Sequence, residues 1–106
     1  MHRGATTSQT STRSGIDAPA TFVATVISDL AAPNVQLRVN GTPSTANTGA
    51  TGGGTYGNWT MFIGSRNNTT TYFTGRIYAL VGRAGTTSAE DIAGIETYLN
   101  ERCGAW

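Results

Sequence analysis

Tyr56-Gly-Asn-Trp-Thr-Met-Phe-Ile-Gly-Ser-Arg-Asn-Asn-Thr-Thr-Thr-Tyr-Phe-Thr-Gly-Arg-Ile-Tyr-Ala-Leu80 is the stretch on which the reading of this chain turns. It holds most of the aromatic residues and two dense apolar runs, 59–63 and 77–81. Between them lies a polar loop, 65–71, which no packed core would select. Apolar run, polar turn, apolar run predicts a β-hairpin with a long loop. In the first run Trp59, Met61 and Ile63 share one face and Thr60 and Phe62 the other. In the second, over 72–83, Ile77, Ala79 and Val81 alternate with Tyr78 and Leu80. Gly75 and Gly82 interrupt it, and a glycine inside a strand marks a bulge or a close backbone approach.

Upstream, residues 35–40 alternate most cleanly. Val35, Leu37 and Val39 are expected to face a core, and Gln36, Arg38 and Asn40 to face water. Asn40-Gly41 follows, a strong signal for a two-residue hairpin turn, with a short partner strand over 42–46. Residues 20–30 predict another strand. Phe22, Ala24, Val26 and Ser28 point one way and Val23, Thr25, Ile27 and Asp29 the other, so both faces are expected to be covered. Residues 31–34 make the turn, because Pro33 cannot donate to a ladder and Asn34 tolerates turn geometry. Residues 47–57 are loop. Gly52-Gly53-Gly54 is no phosphate loop, since no Lys-Ser/Thr follows and a strand comes next.

Downstream, residues 87–103 predict the one helix. Thr87 with Glu90 makes a capping box, and Ser88 with Asp91 is the alternative shifted by one residue. Ile92, Ile95 and Leu99 form a narrow apolar stripe with Tyr98 at its edge, suited to packing on the edge or end of a sheet. Residues 1–18 read as an extended or flexible arm, too poor in large apolar side chains to offset their own ordering entropy. Threonine-rich sequence of this kind can add as a strand to a neighbouring surface. Residues 19–106 form the domain.

Composition sets the outer limits. A chain of 106 residues makes one domain with a modest core. Charged residues are 12% of it, the net charge is +1 and all seven basic residues are scattered arginines. That argues against an electrostatic grip on nucleic acid. No run reaches membrane-span length and no signal-peptide apolar region opens the chain. The single cysteine, Cys103, makes no intrachain disulfide, and the single histidine, His2, sits far off in the arm.

The ordered set of Val35-Gln-Leu-Arg-Val-Asn-Gly41, a glycine-rich loop, Tyr56-Gly-Asn-Trp-Thr-Met-Phe-Ile-Gly-Ser-Arg66, Tyr72-Phe-Thr-Gly-Arg-Ile-Tyr78 and a helix opening Thr87-Ser-Ala-Glu-Asp-Ile resembles the C-terminal half of concanavalin A-like, laminin-G-type jelly-roll domains, as in bacteriophage and prophage virion proteins. The resemblance runs over about residues 22–106. It implies an all-β, antiparallel β-sandwich of jelly-roll type with one C-terminal helix, and a place in the virion as a tail, fibre or capsid-decoration subunit. The half-alternating strands favour a sandwich independently. The resembled domains are much longer, however. The sandwich is incomplete here unless residues 1–18 supply a strand, and bare edges and apolar faces need cover. The cover is expected from other copies in a homo-oligomer or from other virion proteins; otherwise the chain is a piece of a longer product.

Chemistry is sparse. Related jelly-roll glycosidases place paired carboxylates on one strand. Here four of the six acids lie on the helix and Asp29 stands alone at a strand end, so no catalytic residues, cofactor or metal site are assigned. Calcium, common among laminin-G relatives, would want more carboxylates than Asp29. Sugar sites pair an aromatic platform with amide and hydroxyl groups. Tyr56, Asn58, Arg66, Asn67, Asn68 and Tyr72 are the candidates for that chemistry, with Trp59 beside them. Two functions follow: a non-catalytic structural virion subunit, or a module that binds carbohydrate or a cell surface in host recognition.

Overall fold

The computed structural model describes residues 2–3, 8–9, 11–12, 14–32, 34–49, 56, 62–65, 70 and 72–106. Its centre is an antiparallel three-stranded sheet in the order β3 (Ala24–Asp29), β4 (Asn34–Val39), β5 (Thr42–Pro43). Two short strands, β1 (His2–Arg3) and β2 (Ser8–Gln9), pair with each other near the N-terminus. One helix, α1 (Ala89–Cys103), closes the chain. The described regular structure is thus an antiparallel sheet and a C-terminal helix.

β3 and β4 pair along their whole length, from Ala24 opposite Val39 to Asp29 opposite Asn34. Asp29 makes the connection compact: its Oδ1 accepts from Ala31 N–H at 2.8 Å and from Ala32 N–H at 3.2 Å. The β4–β5 turn is the one the Asn-Gly pair predicts. Asn40 has φ 48° and Gly41 φ 73°, and positive φ at both central residues matches the twist of the flanking strands. Asn40 also brackets the end of β3, donating its N–H to Val23 O at 3.0 Å and accepting from Val23 N–H through Oδ1 at 2.9 Å.

Beyond Pro43 the partner of β4 bulges. Ser44 N–H reaches Leu37 O, and the next paired position is Val35 with Asn47, so three steps on one side answer two on the other. The arm fills the gap: Ser11 Oγ accepts from Leu37 N–H at 3.1 Å and shares a hydrogen bond of 2.8 Å with Ser44 Oγ. At Ser11 the arm therefore lies on this chain's own sheet.

Val35 and Val39 are buried, at 1% and 6% exposure, as the alternation of β4 requires. The opposite face departs from expectation at Arg38. Instead of facing water, Arg38 lies beside Thr25 in the β3–β4 register and is covered by α1 through Glu96. Only one face of β3 is covered, in contrast to the expectation of two: Val23 is buried, while Phe22 and Val26 are exposed, Val26 at 58%.

The helix starts one residue later than the favoured capping box. Ser88 is the cap, accepting Asp91 N–H at 3.1 Å, so the alternative with Asp91 holds and not Thr87 with Glu90. Gly104 ends it with φ 61° and ψ 50°, donating to Asn100 O at 2.7 Å. The tail then folds back, with Ala105 and Trp106 N–H both donating to Asn100 Oδ1.

The expected central hairpin is the largest correction. Its loop is closed at the base by Phe73 N–H to Gly64 O at 2.8 Å. From there, residues 72–83 form no strand. Ile77, Tyr78, Leu80 and Val81 are 50–62% exposed. A strand assignment needs a ladder partner as well as an alternating pattern, and among the described residues this segment has none. Residues 59–61 of the first run lie outside the described residues. Gly75 lies in no strand either, and an added Cβ there would meet the ring of Phe73, two residues earlier, at 2.6 Å from Cζ. Gly82 faces open space.

Candidate functional site

Two clefts flank β3. The smaller, about 450 Å³, lies between the outer half of β3, the loop around 83–87 and the first turns of α1. Tyr56 is its aromatic wall, half exposed and anchored by a 2.6 Å hydrogen bond between its hydroxyl and Ser28 Oγ. Asp29 and Asn34 line it as well, and Asn34 Oδ1 is buried with no hydrogen-bond partner among the described residues. Arg83 is a further lining residue, held to Asp91 Oδ2 by its Nη1 at 3.0 Å. The same guanidinium, helped by the Ser88 hydroxyl, keeps the Asp91 carboxyl below its ordinary pKa. An aromatic ring, hydroxyls, a carboxylate and a guanidinium around a partly apolar floor suit a small polyhydroxylated molecule, and the volume lies in the range of ligand sites.

The larger cleft, about 790 Å³, is mainly apolar. Ile16, Phe22 and Phe73 line it with Ile77, Leu99 and Cys103, so it joins the end of the arm, the start of β3, the 73–79 stretch and the last turns of α1. Arg102 at its rim sits 5.0 Å from the Tyr98 ring centroid.

Between the clefts α1 is fastened to the sheet by one ion pair. Arg38 Nε donates to Glu96 Oε1 at 2.8 Å and Arg38 Nη2 to Glu96 Oε2 at 3.0 Å, a two-point fork. Glu96 is 3% exposed. Arg38 holds its carboxyl below the ordinary glutamate range, the Thr25 hydroxyl adds to that, and burial opposes it. Arg38 in turn is raised by Glu96 and donates to Gly41 O at 2.8 Å, which ties the pair to the hairpin turn.

The sequence-derived sugar candidates are not brought together among the described residues. Tyr56 lines the smaller cleft, whereas Tyr72 is exposed and lines neither. Asn58, Arg66, Asn67 and Asn68 lie outside the described residues. The cleft's other polar members, Ser28, Asn34 and Arg83, were missed because β3, β4 and the pre-helix loop meet only in three dimensions. Glu96 had a signal that could have found it: it falls on the stripe of Ile92, Ile95 and Leu99, and a carboxylate on an apolar stripe needs a buried cation. Asp29 spends Oδ1 on its own turn. Among the described residues no three His, Cys, Asp or Glu side chains cluster to hold a metal, and no helix is long and apolar enough to cross a membrane. No family model, curated protein or solved structure matches the chain.

Proposed function

We propose that the chain is a non-catalytic structural subunit of a bacteriophage virion, a tail, fibre or capsid-decoration protein in which neighbouring copies complete a laminin-G-like sandwich. One observation carries the assembly part. The outer face of β3 and the 77–81 run are apolar and exposed on a molecule with few charges to keep it apart from its neighbours. Contiguous apolar surface of that kind marks an interaction site. The virion setting rests on the sequence resemblance. Light scattering behind a sizing column tests assembly: a defined oligomer is expected across a concentration series, and a monomer throughout overturns it. Mass spectrometry of purified particles tests the setting, where the chain is expected in fixed ratio to the capsid protein and its absence overturns the virion reading.

A second reading, a carbohydrate- or cell-surface-binding module, is favoured by the smaller cleft with Tyr56 over Ser28. Titration with a panel of methyl glycosides, followed by amide chemical shifts, tests it. Saturable shifts at Ser28 and 83–87 are expected, and no shift with any sugar removes this reading. The two readings share Val26 and Val81, which line the cleft and also belong to the exposed apolar surface.

A further inference from the structure

Residues 74–82 are exposed throughout and take part in no hydrogen bond, backbone or side chain, among the described residues. An exposed apolar segment whose backbone donors and acceptors meet only water is a ready template for another strand. The sequence of the segment says which strand.

Gly75-Arg-Ile-Tyr-Ala-Leu-Val-Gly-Arg83 is nearly symmetric about Ala79 in residue character. Laid antiparallel on a second copy of itself and centred there, Ala79 meets Ala79, Tyr78 meets Leu80 and Ile77 meets Val81. An aromatic residue opposite an aliphatic one, and two β-branched residues opposite each other, are favourable cross-strand pairs. The charges fit as well. Arg76 falls opposite Gly82 and Arg83 opposite Gly75, so no arginine faces an arginine. A register shifted by one residue centres on the 78–79 or 79–80 bond and loses these pairings. The open space at Gly82 leaves room for the opposing arginine side chain.

We infer that residues 75–83 form an intermolecular strand that pairs antiparallel with the same segment of a second copy, about a two-fold axis at Ala79. An isologous contact of this kind closes on itself and makes a dimer, not an open fibre. The inference rests on the assembly reading and names its partner and register.

The test uses the full chain carrying Cys103→Ser, so that the native thiol takes no part, with Ala79→Cys or Ala84→Cys added. Both positions are exposed, and both changes are small. In the inferred register the two copies of residue 79 face each other at about 4.5–5.5 Å between Cα atoms, within reach of a disulfide. The two copies of residue 84 are separated by ten positions along the strand, roughly 34 Å. Under copper-phenanthroline oxidation, Ala79→Cys is expected to give covalent dimer at least about tenfold faster than Ala84→Cys, given those reaches. Equal rates in a chain that still scatters as an oligomer overturn this register and leave the assembly reading standing. A monomer at every concentration overturns both.

Discussion

At the scale of the residue, Glu96 couples the helix to the sheet. Its two oxygens each accept from Arg38, and its burial makes loss of that partner expensive. Because its folded pKa is depressed, the stability it contributes is present above the ordinary glutamate value, about 4.3, and is lost as pH falls through the lower folded value. Glu96→Gln is expected to cost about 1–3 kcal/mol near neutral pH, by loss of a charge-assisted pair. Thermal unfolding followed by circular dichroism should show the gap between the two proteins closing in acid; a gap independent of pH would contradict it. Gly41 is the second such residue. Its φ of 73° is left-handed while an added Cβ would meet only Glu96 Oε2 at 3.8 Å. Gly41→Ala therefore tests backbone strain without a clash, and about 1–2 kcal/mol of destabilisation is expected in a denaturant titration.

At the scale of the element, the helix N-terminus distinguishes two overlapping capping signals. The Ser88 hydroxyl takes Asp91 N–H, and Asp91 is also held by Arg83. Ser88→Ala should cost about 1 kcal/mol, as loss of a cap does, and Thr87→Ala markedly less; equal losses in urea unfolding would return the cap to Thr87. Both phases of the capping pattern were visible in the sequence. The local pattern does not select between them; in the structure Ser88 takes the role, and Arg83 from the preceding loop pairs with Asp91. Strands show the same division. The β3–β4–β5 hairpins were readable because alternation and the Asn-Gly turn are local, whereas residues 72–83 alternate equally well and have no ladder, because pairing depends on a partner that the pattern does not specify.

At the scale of the whole molecule, cohesion is apolar and polar-neutral, with two ion pairs among the described residues, one of them exposed. An oligomer built through the 75–83 run should therefore keep its mass on going from low salt to about 1 M, where the screening length shrinks to about 3 Å. Dissociation at high salt in the scattering experiment would point to a charged interface instead. The arm belongs to this scale too. Ser11 seats in the β4 bulge of its own chain, so removal of residues 1–18 is expected to lower folding stability and not only association.

By itself the sequence determined strands within 20–30 and 35–40, the Asn40-Gly41 turn and the C-terminal helix with its glycine stop, while the structure trims the first strand to 24–29 and moves Asn34 from the turn into the second. The strands, turn and helix follow from local periodicity and turn chemistry. Only the tertiary structure decided that Arg38 lies under the helix, that Ser88 and not Thr87 caps it, that Ser11 fills a bulge, and that Tyr56 stands over Ser28 in a cleft that Tyr72 does not line. These depend on contacts between residues distant in the chain, and the free energy of such a contact is set by burial and geometry that no local pattern encodes.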